Sequence, residues 1–242
     1  MKIAVCLSGQ PRFLRHFAPS IIKNLILPNN ADVFIHSWYS EEATKIPVRS
    51  GVGWADISLE RDSDKLLLEI YKPIDAIIEP QIDFPLWNID HLPTRNMGYG
   101  GGSEKSENGD YFVKAFQSMW YGIMRSQLLR KQYSLINKFQ YDYVVRCRLD
   151  CQIHTPILFS NLDVNKLHHC HLSDDQKLIH DWFNIGSEKT MDIMASMYWK
   201  LKSFYDNSCI WCNEYWLKLL MQENKIEDQR HPWPISIISK EI

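Results

Sequence analysis

No apolar run in this sequence approaches the roughly 18 residues that a membrane-crossing helix needs, so no span is expected. The opening MKIAVCLSGQPR is too short in apolar residues for a secretory leader and lacks a small-residue cleavage site. It reads as the first strand of a fold, and the chain as a cytoplasmic protein. A basic field is missing as well. The 27 Lys and Arg against 29 Asp and Glu leave a net charge of -2, which argues against nucleic acid as the main partner. A dinucleotide fingerprint is absent, and the single glycine of Ser8-Gly9-Gln10-Pro11-Arg12 falls far short of a P-loop. Internal repeats and a domain boundary are not evident, and nothing in the composition suggests disorder, because 45% hydrophobic residues suffice for an ordinary core. Of the six cysteines, Cys6, Cys147 and Cys151 sit in or beside apparent strands and read as small buried hydrophobes.

What the sequence does contain is an alternation of strand and helix signals over 242 residues, enough for one large domain, 1–242. Ile3 to Leu7 is a continuous apolar run ending in a turn, so it predicts a buried strand. Helical spacing follows from Phe13 to Leu27, with Pro19 interrupting or starting that helix. A second strand is expected over Ala31 to His36. Strand, helix, strand at this spacing is a βαβ unit, which predicts a mostly parallel sheet flanked by helices. Further helices are expected over Asp64–Tyr71, Tyr111–Asn137, Glu188–Phe204 and Cys209–Glu223, and further strands over Ile74–Glu79, Tyr141–Arg148 and Leu178–Ile185. Residues 81–111, rich in Gly, Pro and Ser, read as a flexible loop, either a substrate-gating lid or a plain surface excursion.

The stretch YDYVVRCRLDCQ, residues 141–152, carries the most chemistry. Alternation along a strand puts Arg146, Arg148 and Asp150 on one face near its carboxyl end, where ligands of open α/β sheets bind. A carboxylate there can hold a divalent cation, and two guanidiniums can grip phosphate oxygens. A structural Arg–Asp pair closing off the sheet accounts for the same pattern. Ser8, Gly9, Gln10 and Arg12 follow the first strand and precede a helix, which is either an anion site or a tight turn. His36 and Trp38 end the second strand on the same rim, where Trp38 can stack on a base or sugar or simply pack. Asp181, in HDWFNIGS, and Glu214, in WCNEYW, are acids at strand-to-helix passages that could act as a general base, or serve as a turn residue and a helix-dipole partner. Cys209 and Cys212 with His168, His169, Cys170 and His171 have zinc-like spacing, although the His-rich tract also reads as a short strand. A thioredoxin-like role is disfavoured, because the C-x-x-C does not follow the first strand.

In order, the pieces IAVCLSGQPRF, DVFIHSW, FQSMWYGI, YDYVVRCRLD, DWFNIGSEKTMD and NEYWLKLL span most of the chain. Together they resemble a family of small nucleotide-sugar glycosyltransferases with the Rossmann-related GT-A fold, found in bacteria and large DNA viruses. The resemblance implies transfer of a sugar from a nucleotide-diphosphate donor to a hydroxyl acceptor, for example a growing glycan. In such enzymes an Asp-x-Asp element holds a metal on the donor diphosphate. RCRLD matches it by position, with Asp150 as the metal ligand and Arg148 where the earlier Asp would stand. The implied Mn2+ or Mg2+ is therefore weakly held or replaced by guanidinium charge. Ser8, Gly9, Gln10 and Arg12 match the nucleotide-binding first loop, Gln117, Ser118 and Tyr121 the helix bordering the donor sugar, and Asp181 and Glu214 acceptor-binding or base positions. Two rivals remain: a nucleotidyltransferase, which would normally show a basic Gly-rich first loop, and a non-catalytic carbohydrate- or partner-binding module.

Overall fold

The computed structural model describes residues 1–44, 59–87, 96–97, 109–170, 178–207 and 210–237. Most of the segment 81–111, together with Cys209 and His171, lies outside them. The strands are β1 (Ile3–Gly9), β2 (Asp32–Trp38), β3 (Asp75–Glu79), β4 (Asn96–Met97), β5 (Tyr143–Arg148), β6 (Cys151–Ile153), β7 (Leu167–Cys170), β8 (Phe183–Gly186), β9 (Ile210–Trp211), β10 (Asp228–His231) and β11 (Ile235–Ile237). The helices are α1 (Leu14–Ile21), α2 (Leu27–Asn29), α3 (Ser63–Tyr71), α4 (Gly109–Ile136), α5 (Glu188–Ala195), α6 (Met197–Asn207) and α7 (Asn213–Glu223).

Seven strands form one sheet in the order β10-β7-β8-β5-β1-β2-β3, in which β8 alone runs against its neighbours. The expected α/β architecture with a mostly parallel sheet is therefore present. Alternation sorts the strands onto two cores. Ile3, Val5 and Leu7 of β1 join Tyr143, Val145 and Cys147 of β5 beneath α1 and α3. Ala4, Cys6 and Val144 point the other way, toward Trp120 of α4, Met191 of α5, Leu201 of α6 and Trp216 of α7. Helices thus cover both faces, as burial of a two-sided apolar sheet requires.

Pro19 does not end α1 but lies inside it, and the chain continues through a π-helical stretch, Ile22–Ile26, into α2. Pro28 has no N–H for the Asn24 carbonyl, which accepts from Ile157 N–H at 2.8 Å instead. Three other expectations are corrected. The strand placed over Leu178–Ile185 covers only Phe183–Gly186. Before it, Ile179 N–H donates to the Glu214 carbonyl and the Leu178 and His180 carbonyls accept from Arg230 and Asn184 side chains, so those groups are satisfied off the ladder. The helix over Glu188–Phe204 is two helices, α5 and α6, parted at Ser196, whose hydroxyl donates to the Ile193 carbonyl at 2.7 Å. The last helix begins at Asn213, not Cys209, because Cys212 is extended (φ -158°, ψ 121°) and follows the two-residue strand β9. The tail around Pro232 and Pro234, for which no element was expected, forms two strands, β10 and β11.

Candidate functional site

Strand register assembles the site. Ser8 of β1 lies beside Arg148 of β5 on one side and His36 of β2 on the other, all on the face toward α4. The helix comes close there because Gly122 has no side chain; a Cβ would sit 3.0 Å from His36 Nδ1 and 3.7 Å from Ser8 Cβ. His36 is fully buried and its Nε2 bonds Glu79 Oε1 at 2.9 Å. Burial pulls the His36 pKa down against that carboxylate, so the imidazole is neutral and its other nitrogen, Nδ1, has no partner among the described residues. Trp38 and Tyr121 stack at 5.4 Å, 23° from parallel, and Phe84 meets both edge-on. Trp38 is only 3% exposed, so its ring is an internal packing surface in this state rather than an open platform for a base.

Arg146 and Arg148 share a face, yet they differ in fate. Arg146 is 1% exposed; its Nη1 donates to the Trp182 carbonyl and its Nε has no partner among the described residues. Burial lowers its pKa against the pull of Asp181. Opposite it, across the β5–β8 register, Asn184 is fully buried, with its Nδ2 donating to the His180 carbonyl and its Oδ1 unpartnered among the described residues. Arg148 emerges at the strand end and turns onto Asp150, with Nε to Oδ1 at 2.7 Å and Nη2 to Oδ2 at 2.6 Å. The fork fits because β5 stops at Arg148 and the chain turns through Leu149 and Asp150. Burial alone would raise the Asp150 pKa, but the Arg148 charge and hydrogen bonds, helped by Arg12, hold it below the usual range. Burial likewise opposes the Arg148 charge, and Asp150 more than offsets it.

Both carboxylate oxygens of Asp150 are therefore engaged by a guanidinium. Among the described residues no three of His, Cys, Asp and Glu gather where they could hold a metal ion. Asp150 held this way is a poor match for a resident divalent cation, which needs several free oxygen ligands. The zinc pattern is likewise not assembled by these residues. His168 and His169 lie in β7, where they contact His231 and Asp228, while Cys212 donates to Glu214.

The two candidate bases come close to the arginines. Asp181 is 5% exposed, and its charge acts on Arg146, Arg148 and Glu214. Glu214 sits half-buried in the first turn of α7, where Cys212 Sγ donates to its Oε2 at 3.1 Å. Burial, and then the like charge of Asp181, push the Glu214 pKa up to about 7 against the relief from Cys212. One linked series of charges thus runs from Arg12 through Asp150, Arg148, Arg146 and Asp181 to Glu214. On the loop after β1, Gln10 Oε1 accepts from Arg12 Nε at 2.9 Å. Gly9 adopts φ 133°, a value that favours glycine, and Ser37 Oγ donates to its carbonyl at 3.0 Å. Gln117 and Ser118 stand apart from the charges: the first donates to the Pro85 carbonyl at 2.8 Å, and the second bonds Gln81 on the surface. Glu79 and Asn184, which were not singled out from the sequence, complete the site together with Cys212, which the sequence offered only as a zinc ligand. Asn184 had a signal, a polar residue between Phe183 and Ile185 in a buried strand.

No helix among the described residues is long and apolar enough to cross a membrane. No protein-family model matches the chain, and a search of curated proteins finds no match.

Proposed function

We propose that the chain is a cytoplasmic GT-A-like glycosyltransferase that moves a sugar from a nucleotide-diphosphate donor to a hydroxyl of a glycan acceptor. The observation that carries this reading is the juxtaposition of a cationic rim, Arg148 with Arg12, and an acid pair, Asp181 with Glu214, around the carboxyl ends of β1 and β5. Glycosyl transfer needs charge neutralised on the departing diphosphate and a proton taken from the attacking hydroxyl. Arg148 and Arg12 are placed for the first need, with Arg146 adding positive potential from beneath. Glu214, titrating at about 7, suits the second, and Asp181 helps to set that value. Guanidinium charge carries the neutralisation here.

The bidentate Arg148–Asp150 pair also favours a second reading, a carbohydrate-binding module in which that pair only closes the sheet. Thermal stability against a panel of nucleoside diphosphates, with and without Mn2+, separates the two. A ligand that binds the folded state alone raises the melting temperature. The expected result is a metal-independent rise with one nucleotide that is lost in Arg148→Ala, together with slow donor hydrolysis that is lost in Glu214→Gln. No rise with any nucleotide would end the transferase reading.

A further inference from the structure

The loop between β1 and α1 holds its cation in an unusual embrace. One amide oxygen, Gln10 Oε1, accepts from both Arg12 Nε, at 2.9 Å, and Arg12 Nη2. Arg12 N–H also donates to the Gln10 carbonyl at 2.9 Å, so backbone and side chain tie the same two residues together. That edge of a guanidinium offers two parallel donors, which match two oxygens of a phosphate or carboxylate. Here a single uncharged oxygen serves both donors. The loop is bracketed by Gly9 at φ 133° and Phe13 at φ 45°, and the latter is a left-handed conformation that a bulky side chain adopts at a cost. Both Gln10 and Arg12 are half-buried, and the Arg12 charge helps to lower the Asp150 pKa, so this cation acts on the Arg148–Asp150 pair.

We infer that Gln10 is an internal placeholder: its amide oxygen fills the anion-binding edge of Arg12 until the diphosphate of the donor displaces it. The inference rests on the diphosphate reading of the site and gives Gln10 a role different from a direct ligand contact. A diphosphate brings two oxygens and negative charge, so its bonds to the same edge are shorter and stronger than those of the amide. A neutral ligand gains nothing by the exchange. The placeholder thereby screens the site for charged ligands while keeping a cation satisfied in their absence.

Titration calorimetry with inorganic pyrophosphate in metal-free buffer tests this with seven chains: the natural sequence, Gln10→Ala, Gln10→Glu, Arg12→Ala, each Gln10 change combined with Arg12→Ala, and Arg148→Ala. Removing the competitor should tighten pyrophosphate binding about threefold to tenfold, the scale of one modest hydrogen bond. The same replacement should change nothing once Arg12 is alanine. Gln10→Glu, which seats a carboxylate against the guanidinium, should loosen binding about tenfold or more with Arg12 present and far less without it. Weaker binding in Gln10→Ala would make Gln10 a direct contact and overturn the placeholder. An equal change with and without Arg12 would overturn it too. Pyrophosphate binding that depends on Arg148 but ignores Gln10 would leave the diphosphate site standing without its placeholder. No binding in any chain, Gln10→Ala included, would overturn both.

Discussion

Glu214→Gln is the sharpest test of the site's electrostatics, because it needs no substrate. Burial and the neighbouring Asp181 raise the Glu214 pKa from 4.5 to about 7, so the fold prefers the protonated acid. The sign follows from linkage. A carboxyl whose folded pKa exceeds its unfolded value supports the fold fully below pH 4.5, and that support is lost as pH rises to about 7. Gln keeps the shape of the protonated acid and never ionises. The 2.5 pH units between those two values, at about 1.4 kcal/mol each, bound the gain at pH 8 at about 3.4 kcal/mol. The side chain is half-buried and water relieves part of the strain, so about 1–3 kcal/mol is the working figure. For a chain of this size that is a rise of about 2–10 °C in melting temperature. At pH 5 the gain should fall below about 1 kcal/mol.

Guanidinium denaturation at constant ionic strength, run at pH 5, 6, 7 and 8, reads the difference between variant and natural chain directly. A difference that grows through pH 5 to 7 and then levels confirms a buried acid titrating near neutrality. A difference that is flat across the range, or a variant less stable at pH 8, would refute the reasoning and remove Glu214 as a base tuned by its surroundings.

Other expectations follow from the same geometry. Arg148→Ala leaves Asp150, 6% exposed, without its counter-charge and should cost about 3–5 kcal/mol, whereas Arg148→Ala with Asp150→Ala should cost clearly less than the two single changes together; additive costs in a denaturation cycle would contradict the paired fork. Arg130 is 1% exposed and bonded to Glu188 and Asp192, so Arg130→Ala should lose a similar amount, read by the same denaturation. Gly122→Ala gains helix propensity of about 1 kcal/mol but sets a Cβ 3.0 Å from His36 Nδ1 in a ring held by Glu79. The crowding should win by about 1–2 kcal/mol, and a melting temperature above that of the natural chain would show that the ring gives way.

Much of this fold was legible because its local signals agree with its global packing. Ile3 to Leu7 is apolar on both faces, and β1 is indeed central, covered by helices on each side. The long period of α4 and the strand at Tyr143 were equally plain. The sequence failed where the chain satisfies its backbone by tertiary means. Leu178 to His180 looks like strand, but its partners are the Glu214 carbonyl and the side chains of Arg230 and Asn184, far away in sequence or invisible to periodicity. Antiparallel β8 inside a parallel sheet is set by β5 and β7 on either side, and four residues carry no mark of direction. The break between α5 and α6 is a single residue, Ser196, and helical spacing runs across it.

The site was legible in residue type but not in geometry. Alternation correctly put Arg146 and Arg148 on one face, and it could not tell that one sinks against the Trp182 carbonyl while the other swings out to Asp150. That difference decides what the face can do. A guanidinium locked in the interior contributes field, whereas one paired at the rim can exchange partners, since its counter-charge is two residues away on a turn rather than in a ladder. Asp150 therefore need not be a ligand to matter. Asp150 holds Arg148 in a fixed fork and Gln10 holds Arg12, so an anion that binds either guanidinium at that edge must displace the holder. If that is how the rim works, Asp150→Asn should keep most of the pyrophosphate affinity by removing a competing charge, while Arg148→Lys, which loses the planar fork, should lose about tenfold. Calorimetry that found the reverse order would make the carboxylate the binding group and return the rim to cation chemistry.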